Sequence, residues 1–373
     1  MTKEQTRVLR HRVLLDNAKP SVTPIFQASA FEAGSPYFYT RKANPNVVEF
    51  EEAVAILEDA PFACAVSTGM AAIQSVLNYI PIHSSLVIHR LIYGCSYKFF
   101  ERVASRMKLD LHVMDLNNKD DLQKIPQNTS MIFFETPTNP FLDTIAIQEI
   151  SDLRKQICPN ALVVVDNTWA GPLCQRPLKW GADVSLHSAT KYFSGHSDVM
   201  GGILLTARPE LDEFFKQERF FGGAIMDPHS AWLLRRSLQT FELRTREQSR
   251  VSKEMLKFLN EIPQIAKVYF PKIDEKQLTD YPGILFFEFA EKFAAHPHET
   301  YIKFRDSLKC FGTGTGMAAV TSMIAQPYSG SHASMTDKDK ELMGLSPNLV
   351  RLCFGLESIE DLKADLTQAF GKM

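Results

Sequence analysis

The chain has 373 residues, 45% of them hydrophobic and 23% charged, near globular averages that exclude disorder, collagen-like repeats and a small disulfide scaffold and leave room for about two domains. Forty-one basic residues stand against 43 acidic ones, a formal charge of −2. That balance excludes a partner held by a strong basic field, so no nucleic acid and no membrane surface is expected, and a small molecule is.

Cys64, Cys95, Cys158, Cys174, Cys310 and Cys353 are scattered, with no CxxC pair and no Cys/His cluster of zinc-ligand spacing. They are expected to be reduced, mostly buried thiols, and no metal is expected. The first seven residues, Met1-Thr-Lys-Glu-Gln-Thr-Arg7, are polar and unlike a secretory signal, and no stretch reaches about 18 uninterrupted apolar residues. The cytoplasm is the expected compartment.

In chain order, Asn46-Val-Val-Glu49 resembles a capping box, and Val47, Phe50, Val54 and Leu57 follow at helical spacing. Ser67-Thr-Gly69-Met70 leads small residues into a helix-prone run. Mostly apolar runs then recur at Leu86 to His89, Met131 to Glu135, Ala161 to Asp166, Asp183 to His187 and Gly202 to Thr206. Continuous runs of this kind suit parallel strands covered on both faces by helices, so the fold class is α/β. Asp227-Pro228 caps a further helix, Val251 through Glu261 reads as helical, and Ile284 to Phe289 as a strand. Helices follow at Glu299 to Leu308 and after Ser358, the last with the stripe Ile359, Leu362, Leu366 and Phe370. A soft domain boundary is expected near residue 245, inside helical sequence.

The most specific local signal is Ser188-Ala-Thr190-Lys191-Tyr, between a strand-like run and the glycines 195, 201 and 202. It reads either as an exposed turn or as a Schiff-base lysine whose amine is tuned to attack a carbonyl. Some 25 residues upstream, Asp166 ends an apolar strand. It reads either as a helix cap or as a buried acid that requires a cation at the ligand-binding end of the sheet. The start of the Gly69 helix, with exposed N–H groups, suits a phosphate.

Together, Pro24-Ile-Phe-Gln-Ala-Ser-Ala-Phe31, Tyr39-Thr-Arg41, Asn44-Pro45, Ser67-Thr-Gly-Met-Ala-Ala, Tyr93-Gly94, Glu135-Thr-Pro-Thr-Asn139-Pro140, Val165-Asp-Asn-Thr168, Ser188-Ala-Thr-Lys-Tyr and Val350-Arg351-Leu-Cys-Phe-Gly-Leu-Glu357 resemble the motifs of the Cys/Met-metabolism pyridoxal-phosphate enzymes, in order, from about residue 24 to 370. That family includes cystathionine γ-synthase, cystathionine γ-lyase, cystathionine β-lyase, methionine γ-lyase and the homoserine-ester sulfhydrylases. The resemblance implies an aspartate-aminotransferase-like fold (fold type I) divided into an N-terminal arm over 1–44, a large cofactor domain over 45–245 and a smaller C-terminal domain over 246–373. It also implies a homotetramer with sites shared across a dimer interface, and pyridoxal 5'-phosphate as cofactor.

By the same resemblance, Lys191 bonds the cofactor and serves as base, and Asp166 pairs with the pyridine nitrogen. Gly69, Met70, Ser188 and Thr190 hold the phosphate, and Thr168 joins the cofactor-binding set. Asn139 meets the phenolic oxygen, and Tyr39 and Arg41 reach in from a neighbouring subunit, Tyr39 also touching substrate. Tyr93 stacks on the ring and, with a lowered phenol pKa, moves a proton near the leaving group, while Arg351 grips the substrate carboxylate with its planar fork. The activity implied is elimination or replacement at the γ or β carbon of a sulfur-containing or homoserine-derived amino acid.

The match is weaker around Gly312-Thr-Gly-Thr-Gly316, where Thr315 stands at the position of a glutamate that meets the distal amine of cystathionine in many relatives. Cys95 stands where methionine γ-lyases often have cysteine; it reads as favouring an uncharged substrate or as a small buried filler. The alternatives are an O-acylhomoserine sulfhydrylase, a pyridoxal-phosphate aminotransferase and a silent cofactor-binding protein.

Overall fold

The structure, a computed structural model, describes residues 19–373. The polar segment Met1 to Arg7 and the first part of the expected arm lie outside the described residues. Seven strands form the larger sheet: β1 (Phe62–Val66), β2 (Ser85–His89), β3 (Asp110–Met114), β4 (Thr129–Glu135), β5 (Leu162–Asp166), β6 (Val184–Ser188) and β7 (Gly202–Thr206), in the order β1-β7-β6-β5-β4-β2-β3. The pairs β6·β5, β5·β4, β4·β2 and β2·β3 are parallel, while β7 runs antiparallel to both β1 and β6. Helices cover both faces, which is why β2 and β7 are buried along their whole length. At the sheet edge, β3 keeps Asp110 and Val113 exposed.

A second sheet follows, made of β8 (Ile265–Tyr269), β9 (Ile284–Phe289), β10 (Gly312–Thr313), β11 (Met323–Ala325) and β12 (Leu349–Cys353), in the order β10-β11-β12-β9-β8. All its pairs are antiparallel except β10·β11. Its core joins Leu285, Phe287, Phe289 and Phe304 to the buried stripe Ile359, Leu362, Leu366 and Phe370 of the helix Ile359–Phe370. Each such side chain contributes about 1.5–3 kcal/mol on burial. The 20-residue helix Phe241–Asn260 runs from one sheet to the other without a break, and residue 245 lies inside it. This is an α/β molecule of fold type I, with a mixed, mostly parallel principal sheet. Among the described residues no helix is long and apolar enough to cross a membrane.

Helix starts follow the expected chemistry with one correction. Asp227 accepts from the backbone of His229 and Ser230, and Ser358 from that of Asp361. The helix Pro45–Glu58, however, is capped by Asn44, whose side chain accepts the Asn46 N–H, with proline at its first position. Asn46 does not cap: its amide accepts from Phe26 N at 2.7 Å and donates to the Pro24 carbonyl at 2.8 Å, fastening the preceding arm to the helix. All six cysteines are free; Cys95 is exposed and Cys310 half-buried, and the others are buried.

Candidate active site

Strands β4, β5 and β6 end side by side, and their last residues, Glu135, Asp166 and Ser188, line a cavity of about 490 Å³. Its wall also takes Thr68, Gly69, Met70 and Ile73 from the helix Gly69–Leu77, with Tyr93, Asn139, Thr168, Thr190, Lys191, Thr315 and Arg351. A ligand site outside the carboxyl ends of parallel strands is what this sheet architecture offers. A neighbouring cavity of about 660 Å³ shares Thr190, Lys191, Met200 and Met317 with it.

The floor is built by short bonds between strand ends. Thr168 donates its N–H to Asp166 Oδ1 at 3.0 Å, and its hydroxyl accepts from Ser188 N at 2.8 Å, clamping β5 to β6. Thr190 Oγ1 accepts the Gly201 N–H at 3.1 Å. Thr68 caps the Gly69 helix, accepting from Ala71 N at 3.0 Å. Two glycines let the backbone crowd here: a Cβ on Gly69 would lie 3.0 Å from the Ser188 Cβ, and one on Gly202 only 2.1 Å from the Thr68 carbonyl oxygen. The result is a tight cradle of hydroxyls around a helix N-terminus.

The two acids and two bases of the cavity, Glu135, Asp166, Lys191 and Arg351, form no ion pair with one another among the described residues. Asp166 keeps some accessible surface at the wall, yet burial raises its carboxyl, against which the Thr168 hydrogen bonds and His187 act. No cation is bonded to it among the described residues. Burial, then the Arg351 cation, lowers the Lys191 amine, favouring the uncharged nucleophilic form. Arg351 is 3% exposed; its Nη2 donates to the carbonyls of Thr315 and Gly316, both at 3.0 Å, and its buried Nε has no partner. The fork is therefore braced by the backbone with donors left over.

Tyr93 departs from expectation. Its phenol is raised above the ordinary value, by burial first and then by a hydrogen bond with Cys95, so at neutral pH it is a proton donor and not a ready base. Cys95 meets the Tyr93 hydroxyl but does not itself line the cavity.

Nor do Tyr39 and Arg41. Arg41 donates to the Phe220 carbonyl at 2.6 Å and lies over the rings of Phe220 and Tyr39, 4.6 and 5.2 Å from their centroids. Phe220 belongs to a larger surface groove, about 1010 Å³, that contains none of the residues that line the cavity. The sequence reading gave no role to Glu135, Trp169, Met200, Met317 or Ser331, all of which stand in the wall. Glu135 was visible as the first residue of the Glu135-to-Pro140 motif, but the strand register that sets it beside Asp166 was not.

Comparison with known proteins agrees with this geometry. The family model for the Cys/Met metabolism PLP-dependent enzyme matches residues 6–371. The chain belongs to this family. It is 34% identical to the L-methionine gamma-lyase of Fusobacterium nucleatum subsp. polymorphum, over 94% of this chain and 93% of that one. It is 33% identical to the cystathionine beta-lyase of Lactococcus lactis subsp. cremoris over the full length of both. The crystal structure of the cystathionine gamma synthase of Xanthomonas oryzae pv. oryzae in complex with cystathionine superposes with a TM-score of 0.88 at 32% identity, covering 94% of this chain and 92% of that one. The chain is accordingly a PLP-dependent enzyme of the C–S lyase and γ-synthase class.

The cavity suits pyridoxal phosphate on its own features. An amine held towards its neutral form, a carboxyl without a cation, a buried Asn139 Oδ1 without a partner and a hydroxyl-lined helix start would receive the carbonyl, the ring nitrogen, the ring's polar edge and the phosphate. The lining of that helix start holds no arginine, and the cavity's two basic side chains are Lys191 and Arg351.

Proposed function

We propose that this enzyme eliminates the sulfur substituent from the γ carbon of an amino acid with an uncharged, methionine-like side chain, giving a thiol, ammonia and a 2-oxo acid with uptake of one water. The observation that carries this is the charge of the lining. Its acidic side chains are Glu135 and Asp166, both at strand ends, and elsewhere it offers Ile73, Met200, Met317 and Thr315. No acid remains in that wall to meet a distal ammonium of the substrate, while an apolar thioether matches it.

In this reading Lys191, Asp166, Asn139, Thr168, Ser188, Thr190 and the backbone of Gly69 and Met70 hold the cofactor, which when bound supplies an electron sink for the charge left on Cα. Arg351 fixes the substrate carboxylate. The Lys191 amine takes the α-proton and passes one back, and the Tyr93 hydroxyl donates to the departing sulfur, a role that its raised phenol favours. Tyr39 and Arg41 reach the phosphate of a neighbouring subunit, which supplies the cation that the cradle lacks in its own chain. Residues 1–44 then act as an arm, 45–245 as the cofactor domain and 246–373 as the smaller domain of a cytoplasmic homotetramer.

A panel of methionine, cystathionine, cysteine, homocysteine and an O-acylhomoserine with thiol tests the proposal, reading 2-oxobutyrate, pyruvate, thiol and new thioether together. Methionine, giving 2-oxobutyrate and thiol, or homocysteine, giving 2-oxobutyrate and hydrogen sulfide, should show the largest kcat/KM. Preference for cystathionine, or net thioether formation from the ester, would overturn it in favour of the activities named for the other relatives. Conversion of the cofactor to its amine form without ammonia release would point to an aminotransferase.

A further inference from the structure

Glu135 is 1% exposed, ends β4, and faces Asp166 in register across the parallel pair β4·β5. Adjacent strands lie about 4.8 Å apart, so two carboxyls abut at the cavity floor. They are not equally served. Asp166 keeps some accessible surface, the Thr168 N–H and the field of His187, while Glu135 is shut deeper in the protein, its Oε1 accepting from Tyr93 N at 2.7 Å and the Trp169 side chain standing as its other donor. Neither Lys191 nor Arg351 forms an ion pair with Glu135 among the described residues, and Arg351 Nη2 is engaged with two carbonyls.

Two anions cannot share such a floor cheaply, and the proton stays on the one further from water. Burial first and then Asp166 push the Glu135 carboxyl well above the carboxylate range. The bond it makes falls on Tyr93, which precedes the helix Gly94–Met107 and has no side-chain cap of its own. Glu135 is thus the anchor of the backbone that carries the proposed proton donor.

Resting on the pyridoxal-phosphate reading of the cavity, we propose that Glu135 is a positioning residue that works as an uncharged carboxylic acid, holding Tyr93 through Oε1 and leaving Asp166 the only anion at the strand ends. An uncharged Glu135 keeps Asp166 free to face the cofactor's ring nitrogen, with no second anion competing for that cation. Its Oε2–H gives the floor one neutral donor, which an amide can replace.

The test compares Glu135→Gln and Glu135→Ala as cofactor-loaded enzymes. The readouts are cofactor dissociation constant, visible absorbance, kcat and KM separately, and the infrared carbonyl band of a protonated carboxyl in wild type minus Glu135→Gln. Glutamine preserves the acceptor for Tyr93 and a neutral donor, so affinity, spectrum and kcat should stay within about 3-fold and the infrared difference should show a protonated acid. Alanine frees Tyr93, and kcat should fall about 10–100-fold with a smaller change in KM. Glutamine as damaging as alanine, absence of the protonated-acid band, or an alanine variant within about 2-fold of wild type would each overturn the proposal. If the wild type itself shows no lysine-bound cofactor band, the pyridoxal reading has failed instead, which separates the two.

Discussion

The front and rear of the same strand ends are built differently. Along β5 and β6, alternation turns Asp166 and Ser188 to the cavity and Asn167, Ser185 and His187 to the opposite face. There Glu58, fully buried at the end of the helix Pro45–Glu58, takes all three on Oε1, with Oε2 left without a partner: Asn167 Nδ2 at 3.1 Å, Ser185 Oγ at 3.2 Å and His187 Nε2 at 2.5 Å. On the cavity side Asn139 Oδ1 and Arg351 Nε stand without partners beside open space. At the rear three side chains from separate elements are tied to one carboxylate shut inside the protein, whereas the front groups border an open cavity that a ligand can enter. Changes at the rear should therefore move stability, and changes at the front should move chemistry.

The largest expected effect is at the rear. Glu58→Ala strands three donors and breaks a buried pair, which should cost about 3–5 kcal/mol, seen as a lowered denaturation midpoint at constant m-value, with KM of the folded fraction within about 2-fold. A stable variant with a raised KM would erase the distinction between the two faces.

At the front, Arg351→Lys keeps the charge but loses the planar fork. KM for the amino acid should rise about 10–100-fold with the denaturation midpoint nearly unchanged.

Stability should also depend on pH through the buried His89, which accepts the Leu116 N–H at Nδ1 and whose pKa burial lowers to about 4. The unfolded chain takes up this proton near pH 6.5 and the folded one only near 4, so stability is full above 6.5 and falls by roughly 1–3 kcal/mol as pH drops through that window. Thermal melts across that range should show a shallower fall in His89→Gln.

The smallest effect sharpens the reading of the wall. Thr315→Glu introduces an acid at the cavity, and kcat/KM for cystathionine relative to methionine should rise several-fold. An unchanged ratio would remove Thr315 from the account of specificity.

Part of the site was legible in the sequence: Lys191 in Ser188-Ala-Thr-Lys and Asp166 after an apolar run each left two local readings open, the family resemblance chose between them, and the fold sets both side chains in one cavity. What was not legible depends on neighbours distant in sequence. Glu135 gains its meaning from the β4·β5 register, and Tyr93 has a raised phenol because burial and Cys95 surround it once the chain is folded. Asn44 displaced Asn46 as helix cap because the arm near Pro24 and Phe26 claims the Asn46 amide. Within its own chain Arg41 rests on Phe220 and Tyr39, outside the cavity, and a reach to a neighbouring subunit depends on assembly, which a single chain does not display.

The central claim is that the cavity at the ends of β4, β5 and β6 binds pyridoxal phosphate through Lys191. The most direct measurement is the visible absorbance of purified, cofactor-supplemented wild type and Lys191→Ala, each with a thermal melt. The account predicts a lysine-bound cofactor band in the wild type that is lost in the variant, with activity reduced at least about 1000-fold and the melting temperature little changed. A band that survives Lys191→Ala, or its absence from the wild type, would contradict it.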